Sequence, residues 1–270
     1  VLKQFKEFCW QWRGVWITAP SITLLVILLR LTGLLQSWEL VVFDQYMRLR
    51  PQESPDQRIA IVGIDEGDIK KIGQPIFPDQ VYVDLLNKLK AMQPRAIGLD
   101  IYRDYPVEPG HEALTEVFDS TPNLVGIRKV VGDERREVVA APPILEAKGQ
   151  IGANDLMFDH DQKVRRGLVV INDQGRPIPS FGMYLAALYL AGEGIGITTY
   201  GDKGWWQLGD TVFVPFQKND GAYVRADAGE NQFILNYRGP ARTFETVSLT
   251  DILEDRLPPD WGKDRIILIG

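Results

Sequence analysis

Apolar and polar positions along this chain fall into blocks with different periods. Val15 to Leu35, "VWITAPSITLLVILLRLTGLL", is almost wholly apolar. At about 1.5 Å per residue, a helix of this stretch would be roughly 30 Å long, the thickness of bilayer hydrocarbon. In "ELVVFDQYMRLRP", Val41, Val42, Tyr46 and Leu49 recur on one side of a helix that continues from the first as a stiff connection and stops at Pro51. From Arg58 the period changes. "RIAIVGID" is a short apolar run rich in β-branched residues, which predicts a central parallel strand covered on both faces. "DQVYVDLLNKLKAMQP" returns to helical spacing through Val81, Leu85, Leu86 and Leu89, and "RAIGLDIY" predicts a second buried strand, completing a β-α-β unit over residues 58–102.

"HEALTEVFD" and "NLVGIRKVV" predict another helix and strand of the same style. The middle of the chain differs. "KVRRGLVVINDQGRPIPS" reads as a strand, a turn at Asn172 to Gly175, and an extended return. "SFGMYLAALYLAG" is an apolar helix capped by Ser180, to be buried against sheet or membrane. "AGEGIGITTYG" reads as a loop, "WWQLGDTVFVPF" as a hairpin around Gly209 and Asp210, and "NQFILNYRGP" as a strand. "SLTDILED" is a short helix with a capping box, and "DRIILIG" a last buried strand. The class is α/β: a mostly parallel central sheet with flanking helices and an antiparallel hairpin insertion, preceded by one transmembrane helix. Because the last strand has no following helix to cover it, the domain is expected to be incomplete at its carboxyl end.

The membrane assignment survives an energy estimate. The twelve Leu, Ile and Val residues of the stretch contribute about −5 kcal/mol to insertion, against at most roughly +3 kcal/mol for Arg30, which lies past the midpoint and can snorkel. Pro20 sits among Thr18, Ser21 and Thr23, whose hydroxyls can satisfy the backbone it frees. No small-residue cleavage site comes after it, so the span stays uncleaved. Lys3, Lys6 and Arg13 precede it with only Glu7 against them, and Trp10, Trp12 and Trp16 stand at the interface. Residues 1–14 are therefore expected in the cytoplasm, 15–35 in the membrane and 36–270 outside, periplasmic at a bacterial inner membrane. The net charge is −6 although the tail is basic, so the outer part is acidic and unsuited to nucleic acid. Cys9 is the only cysteine, so the outer domain forms no disulfide of its own and must rely on its core.

Chemistry-bearing residues are few. Asp65 and Asp100 each follow a predicted parallel strand, where open α/β sheets bind ligands; they could hold a metal or act as acid and base, or simply cap the adjoining loop or helix. "NDLMFDHDQKVRRG" carries Asp155, Asp159 and Asp161, but Lys163 and Val164 stand where a calcium loop needs oxygen and glycine. The stronger reading is a turn that positions Arg165 and Arg166, which either clamp an anionic ligand or pair with nearby acids. Tyr237 and Arg238 stand at a strand end, on a pocket rim or in a turn. Trp205 and Trp206 suit hairpin packing better than ring stacking. His111 and His160 read as an exposed loop or helix-start residue; no metal cluster, cofactor fingerprint or catalytic triad is present.

Taken in order, "FDQYMRLRP", "RIAIVGIDE", "AIGLDIYRD", "GANDLMFDHDQKVRRG", "NYRGP" and "DRIILIG" resemble the second type of CHASE domain, from about Val42 to the last residue. The resemblance implies an extracytoplasmic sensor behind an amino-terminal span, followed by further spans and a cytoplasmic adenylate or guanylate cyclase, histidine kinase or serine/threonine kinase. It also implies a homodimer, since such outputs work in pairs, and an extracytoplasmic ligand. Where such domains carry a Pro-Trp-x-Arg-like turn, this chain has "QPIFPDQ", Gln74 to Gln80. The rival readings are a membrane-tethered metal-dependent hydrolase using Asp65 and Asp100, and a tethered binding module.

Overall fold

The computed structural model describes residue 10 and residues 12–131, 138–229 and 231–270. Lys3, Lys6, Glu7 and Cys9 of the expected tail lie outside the described residues. The chain divides into two compact units, Val1–Pro51 with Phe216–Ala228, and Gln52–Pro215 with Gly229–Gly270.

In the first unit, helix α1 (Arg13–Thr32) is long and apolar enough to cross a membrane, and none of its residues is buried. It does not run unbroken into the next helix. Gly33 takes the left-handed conformation (φ 86°) that a residue with a Cβ resists, and its N–H closes the helix on the Arg30 carbonyl at 2.9 Å. Helix α2 (Gln36–Leu49) then restarts, so the expected stiff connection contains a three-residue break. The segment Phe216–Ala228 packs on this junction. Leu40 is buried with Phe216 and Tyr223, whose rings meet edge-on at 5.1 Å. Arg30, the charge that opposes insertion, donates through Nη2 to the Gly221 carbonyl (2.6 Å) and pairs with Glu39 (3.2 Å). Gln36 Oε1 accepts the Val224 N–H at 2.8 Å.

The second unit begins with β1 (Ile59–Gly63), α3 (Glu66–Ile72), α4 (Asp79–Ala91), β2 (Ala96–Leu99), α5 (His111–Asp119) and β3 (Leu124–Arg128). Then come α6 (Pro143–Ala147), β4 (Ile151–Ala153), β5 (Met157–Phe158), β6 (Val164–Leu168), β7 (Val170–Asp173), β8 (Arg176–Pro179) and α7 (Phe181–Ala191). β9 (Ile197–Tyr200), β10 (Trp205–Leu208), β11 (Thr211–Val212), β12 (Gln232–Ile234), β13 (Glu245–Ser248), α8 (Leu249–Leu253) and β14 (Ile266–Ile269) complete it. The central sheet is parallel, in the order β13-β1-β14-β2-β3-β4.

β14, expected to lie uncovered, is in the middle of this sheet and covered on both faces by helices from earlier in the chain. Ile267 and Ile269 point into the main core with Leu85, Leu89 and Leu249, while Ile266 and Leu268 meet Phe181 and Leu185 of α7. α7 is apolar all round because it is buried on two sides. Phe181, Leu185 and Leu188 face the parallel sheet, and Met183, Ala186 and Leu190 face Val169, Leu208 and Phe233. The open choice between sheet and membrane thus resolves to sheet.

The antiparallel part consists of β12-β6-β5, β7-β8 and β11-β10-β9. Its turn at Gln174 and Gly175 has positive φ at both positions, and Asn172 Oδ1 accepts the Gly175 N–H at 2.7 Å. One expectation fails here. Residues Ile197–Tyr200, read as loop behind a glycine run, form β9 because β10 supplies a partner from Trp205 to Leu208.

Candidate functional site

Asp79 opens α4, and the loop between β2 and α5 folds back over that end. First-turn N–H groups have no partner inside their own helix. Here Asp79 N donates to the Val107 carbonyl (2.8 Å) and Gln80 N to the Pro109 carbonyl (2.9 Å), while Asp79 Oδ2 accepts the Val107 N–H (3.2 Å). Gly110 lets the loop come this close: its φ is 108°, and a Cβ there would stand 2.4 Å from Gln80 N. The first residue of α5, His111, is thereby placed with Nδ1 2.9 Å from Asp79 Oδ2.

Arg103, from the same loop, completes the group. Its Nη1 lies 3.3 Å from Asp79 Oδ1, its Nη2 donates to the Phe77 carbonyl at 2.5 Å, and its guanidinium stacks 4.2 Å over the Tyr82 ring. Burial pushes the Tyr82 phenol pKa up, with Arg103 opposing. Asp79 and Arg103 are 1% and 7% exposed, whereas the His111 side chain is 42% exposed. The three border a cavity of about 360 Å³ walled by Leu114, Phe118 and Ile144. That is the size and make-up of a small-molecule pocket, apolar walls with a few convergent polar groups. A hollow of about 690 Å³ along α1, between Trp12, Trp16, Pro20 and Leu24, has no converging charge and is the surface of a bare helix.

The residues singled out from the sequence do not come together as one site. Asp65 and Asp100 do lie at the carboxyl ends of β1 and β2, but β14 runs between those strands, which sets them about 10 Å apart at the backbone. Asp65 is a helix cap: its Oδ1 accepts the N–H groups of Gly67 (2.7 Å) and Asp68 (3.0 Å), and Asp68 returns the bond to Asp65 N. Asp100 accepts from Asn154 Nδ2 at 2.7 Å, and desolvation raises its pKa against that bond although the residue keeps exposed surface. Among the described residues, no group of three or more His, Cys, Asp and Glu is arranged to hold a metal.

Arg165 and Arg166 are buried by the turn that precedes them. Asp159 bonds Arg165 Nη1 (2.7 Å) and Arg166 Nη2 (2.8 Å), Asp161 takes Arg165 Nη2 (2.6 Å), and Gln232 Oε1 takes Arg166 Nη1 (2.8 Å). The guanidinium holds the Asp161 carboxyl down at about 2. Tyr237 donates to the Val164 carbonyl on the same hairpin (2.7 Å), while Arg238 pairs with Glu53. Trp206 packs into the hairpin core and His160 is exposed.

Asp79 and Arg103 are the residues that sequence reasoning misses; His111, read as an exposed loop or helix-start residue, does begin α5, and its contact with Asp79 is what the sequence does not show. Their separation along the chain has no motif, and the one signal near them is that Asp79 follows the Pro78 that starts a helix, inside the segment that departs from the Pro-Trp-x-Arg pattern. A family model described as the CHASE2 domain matches residues 21–270. The chain belongs to the CHASE2 family. CHASE2 is an extracellular sensor domain found in signalling proteins, and in this CHASE2 domain the matched region begins inside α1. No curated protein and no solved structure matches the chain.

Proposed function

We propose that this CHASE2 domain is the periplasmic input of a bacterial inner-membrane signalling protein, with α1 as its span and a cyclase, histidine kinase or serine/threonine kinase as cytoplasmic output. The observation that carries the reading is the family match over an apolar helix with no buried residue. A helix of that composition needs an apolar cover, and lipid supplies it. The clasp at the end of the helix supports transmission: Phe216–Ala228, whose two ends continue into the sheet-bearing unit, holds Arg30 and Gln36 by backbone groups. A shift in the ends of that segment would be felt where the span emerges. The working unit is a homodimer. Trp38, Val42, Tyr46 and Leu49 are exposed within one narrow arc of α2, an apolar stripe of the kind a second copy buries.

The test is to weaken the clasp without touching the sheet. Gln36→Ala with Arg225→Ala, which remove the acceptor of the Val224 N–H and the donor that reaches the Leu31 carbonyl at the end of α1 (Nη2, 3.4 Å), in the intact protein in membranes, should shift basal cyclic-nucleotide or phosphoprotein formation several-fold while the unfolding midpoint of the sheet-bearing unit stays put. Unchanged output at normal expression contradicts the coupling.

A further inference from the structure

The charge pair under the cavity is left incompletely bonded. Asp79 Oδ1 accepts no hydrogen bond and Arg103 Nε donates none, although both atoms are buried. Native structures rarely leave such atoms orphaned, and an unbonded acceptor and an unbonded donor on the two members of one ion pair fit one partner that donates and accepts at once. Charge narrows the choice. The pair is neutral, so Asp79 would repel a bare anion and Arg103 a bare cation, whereas a zwitterion meets each with its opposite. The walls set the rest of the molecule: Leu114, Phe118 and Ile144 are apolar.

We propose that this cavity binds a free α-amino acid with an apolar side chain, its ammonium on Asp79, its carboxylate on Arg103, and its side chain against Leu114, Phe118 and Ile144. His111 holds Asp79 from the rim and orients the carboxylate for the ammonium. The proposal deepens the sensor reading and rests on it for its role as input.

The test is calorimetric titration of the full chain in detergent micelles with L-leucine, L-phenylalanine, leucinamide (no carboxylate) and 4-methylpentanoate (no ammonium). At least one of the two amino acids should bind saturably, with both truncated probes about tenfold or more weaker than L-leucine, as expected when a buried charge loses its partner. Ala147→Trp, at the exposed edge of the cavity, should abolish the signal with cooperative unfolding retained; Thr115→Trp serves if that variant does not fold. The proposal is overturned by no saturable binding of either amino acid up to roughly 10 mM, by equal binding of all the leucine-derived probes, or by binding that survives the blocked cavity. Coupling is read separately from output activity, so a chain that binds L-leucine but does not couple contradicts the sensor reading alone.

Discussion

Two buried clusters of charge in this molecule have the same ingredients and different states of completion. In the hairpin, one carboxylate, Asp159, bonds two guanidinium groups, and all four terminal nitrogens of Arg165 and Arg166 have acceptors in Asp159, Asp161 and Gln232, with Arg166 Nε alone left unbonded and every carboxylate oxygen engaged. Under the cavity, Asp79 and Arg103 meet at 3.3 Å with an orphaned atom on each side, next to open space. The first cluster has the geometry of a structural clamp and the second that of a receptor. A conspicuous arginine pair is thus a poor guide to a binding site; what sets the second cluster apart is an unbonded carboxylate oxygen, Asp79 Oδ1, on a pair that borders a cavity.

The contrast breaks if the two clusters respond alike to mutation. The largest effect is expected from Asp159→Ala, which strands two buried guanidinium groups; breaking a buried pair costs about 3–5 kcal/mol, read from the denaturant midpoint. Arg103→Met should cost less, about 2–3 kcal/mol, because Asp79 keeps the Val107 N–H and His111. A larger loss for Arg103→Met than for Asp159→Ala would reverse the assignment of clamp and receptor. His111→Ala should cost about 1 kcal/mol, since half of its bond to Asp79 is made against solvent.

The smallest effects concern pH and have opposite signs. Asp161 has a folded pKa of about 2, below the unfolded value near 3.9. Its stabilisation is present above about pH 4 and is lost as pH falls toward 2, and Asp161→Asn should flatten that slope in an acid titration of stability. Asp100 is displaced upward by desolvation, so its ionisation opposes folding at neutral pH. Asp100→Asn, which keeps the acceptor for Asn154, should raise the midpoint at pH 7 and lose that advantage in acid. If both asparagine variants moved the midpoint the same way, the two environments would not differ as described.

What can be read from the sequence is what local pattern decides. β1, β2 and β14 announce themselves because strands buried on both faces are apolar at consecutive positions, and Ser180 and Ser248 sit where caps are needed. α3 itself escapes such a reading, because "EGDIKKI" is short and polar, although the capping alternative for Asp65 is the one its bonds fulfil. β9 is a strand only because β10 pairs with it. The cover over β14 comes from α7, far away in sequence. The cavity is illegible for a stronger reason. Asp79, Arg103 and His111 meet only because residues 103–110 lie back across the start of α4, a fit that depends on a close approach at Gly110 and on no spacing of residue types. Arg165 and Arg166, by contrast, are readable as turn-positioned, since their partners Asp159 and Asp161 are a few residues away.

The central claim, a sensor domain outside with α1 as its span, is tested most directly by thiol accessibility in intact cells. Cys9 is the chain's only cysteine, so a membrane-impermeant maleimide needs one comparison, the native chain against Cys9→Ser carrying Asp202→Cys in the exposed hairpin turn between β9 and β10. Cys9 should be labelled only after permeabilisation, and the Asp202→Cys thiol should be labelled in intact spheroplasts. Labelling of Cys9 from outside, or protection of the hairpin thiol until the membrane is opened, would contradict that claim.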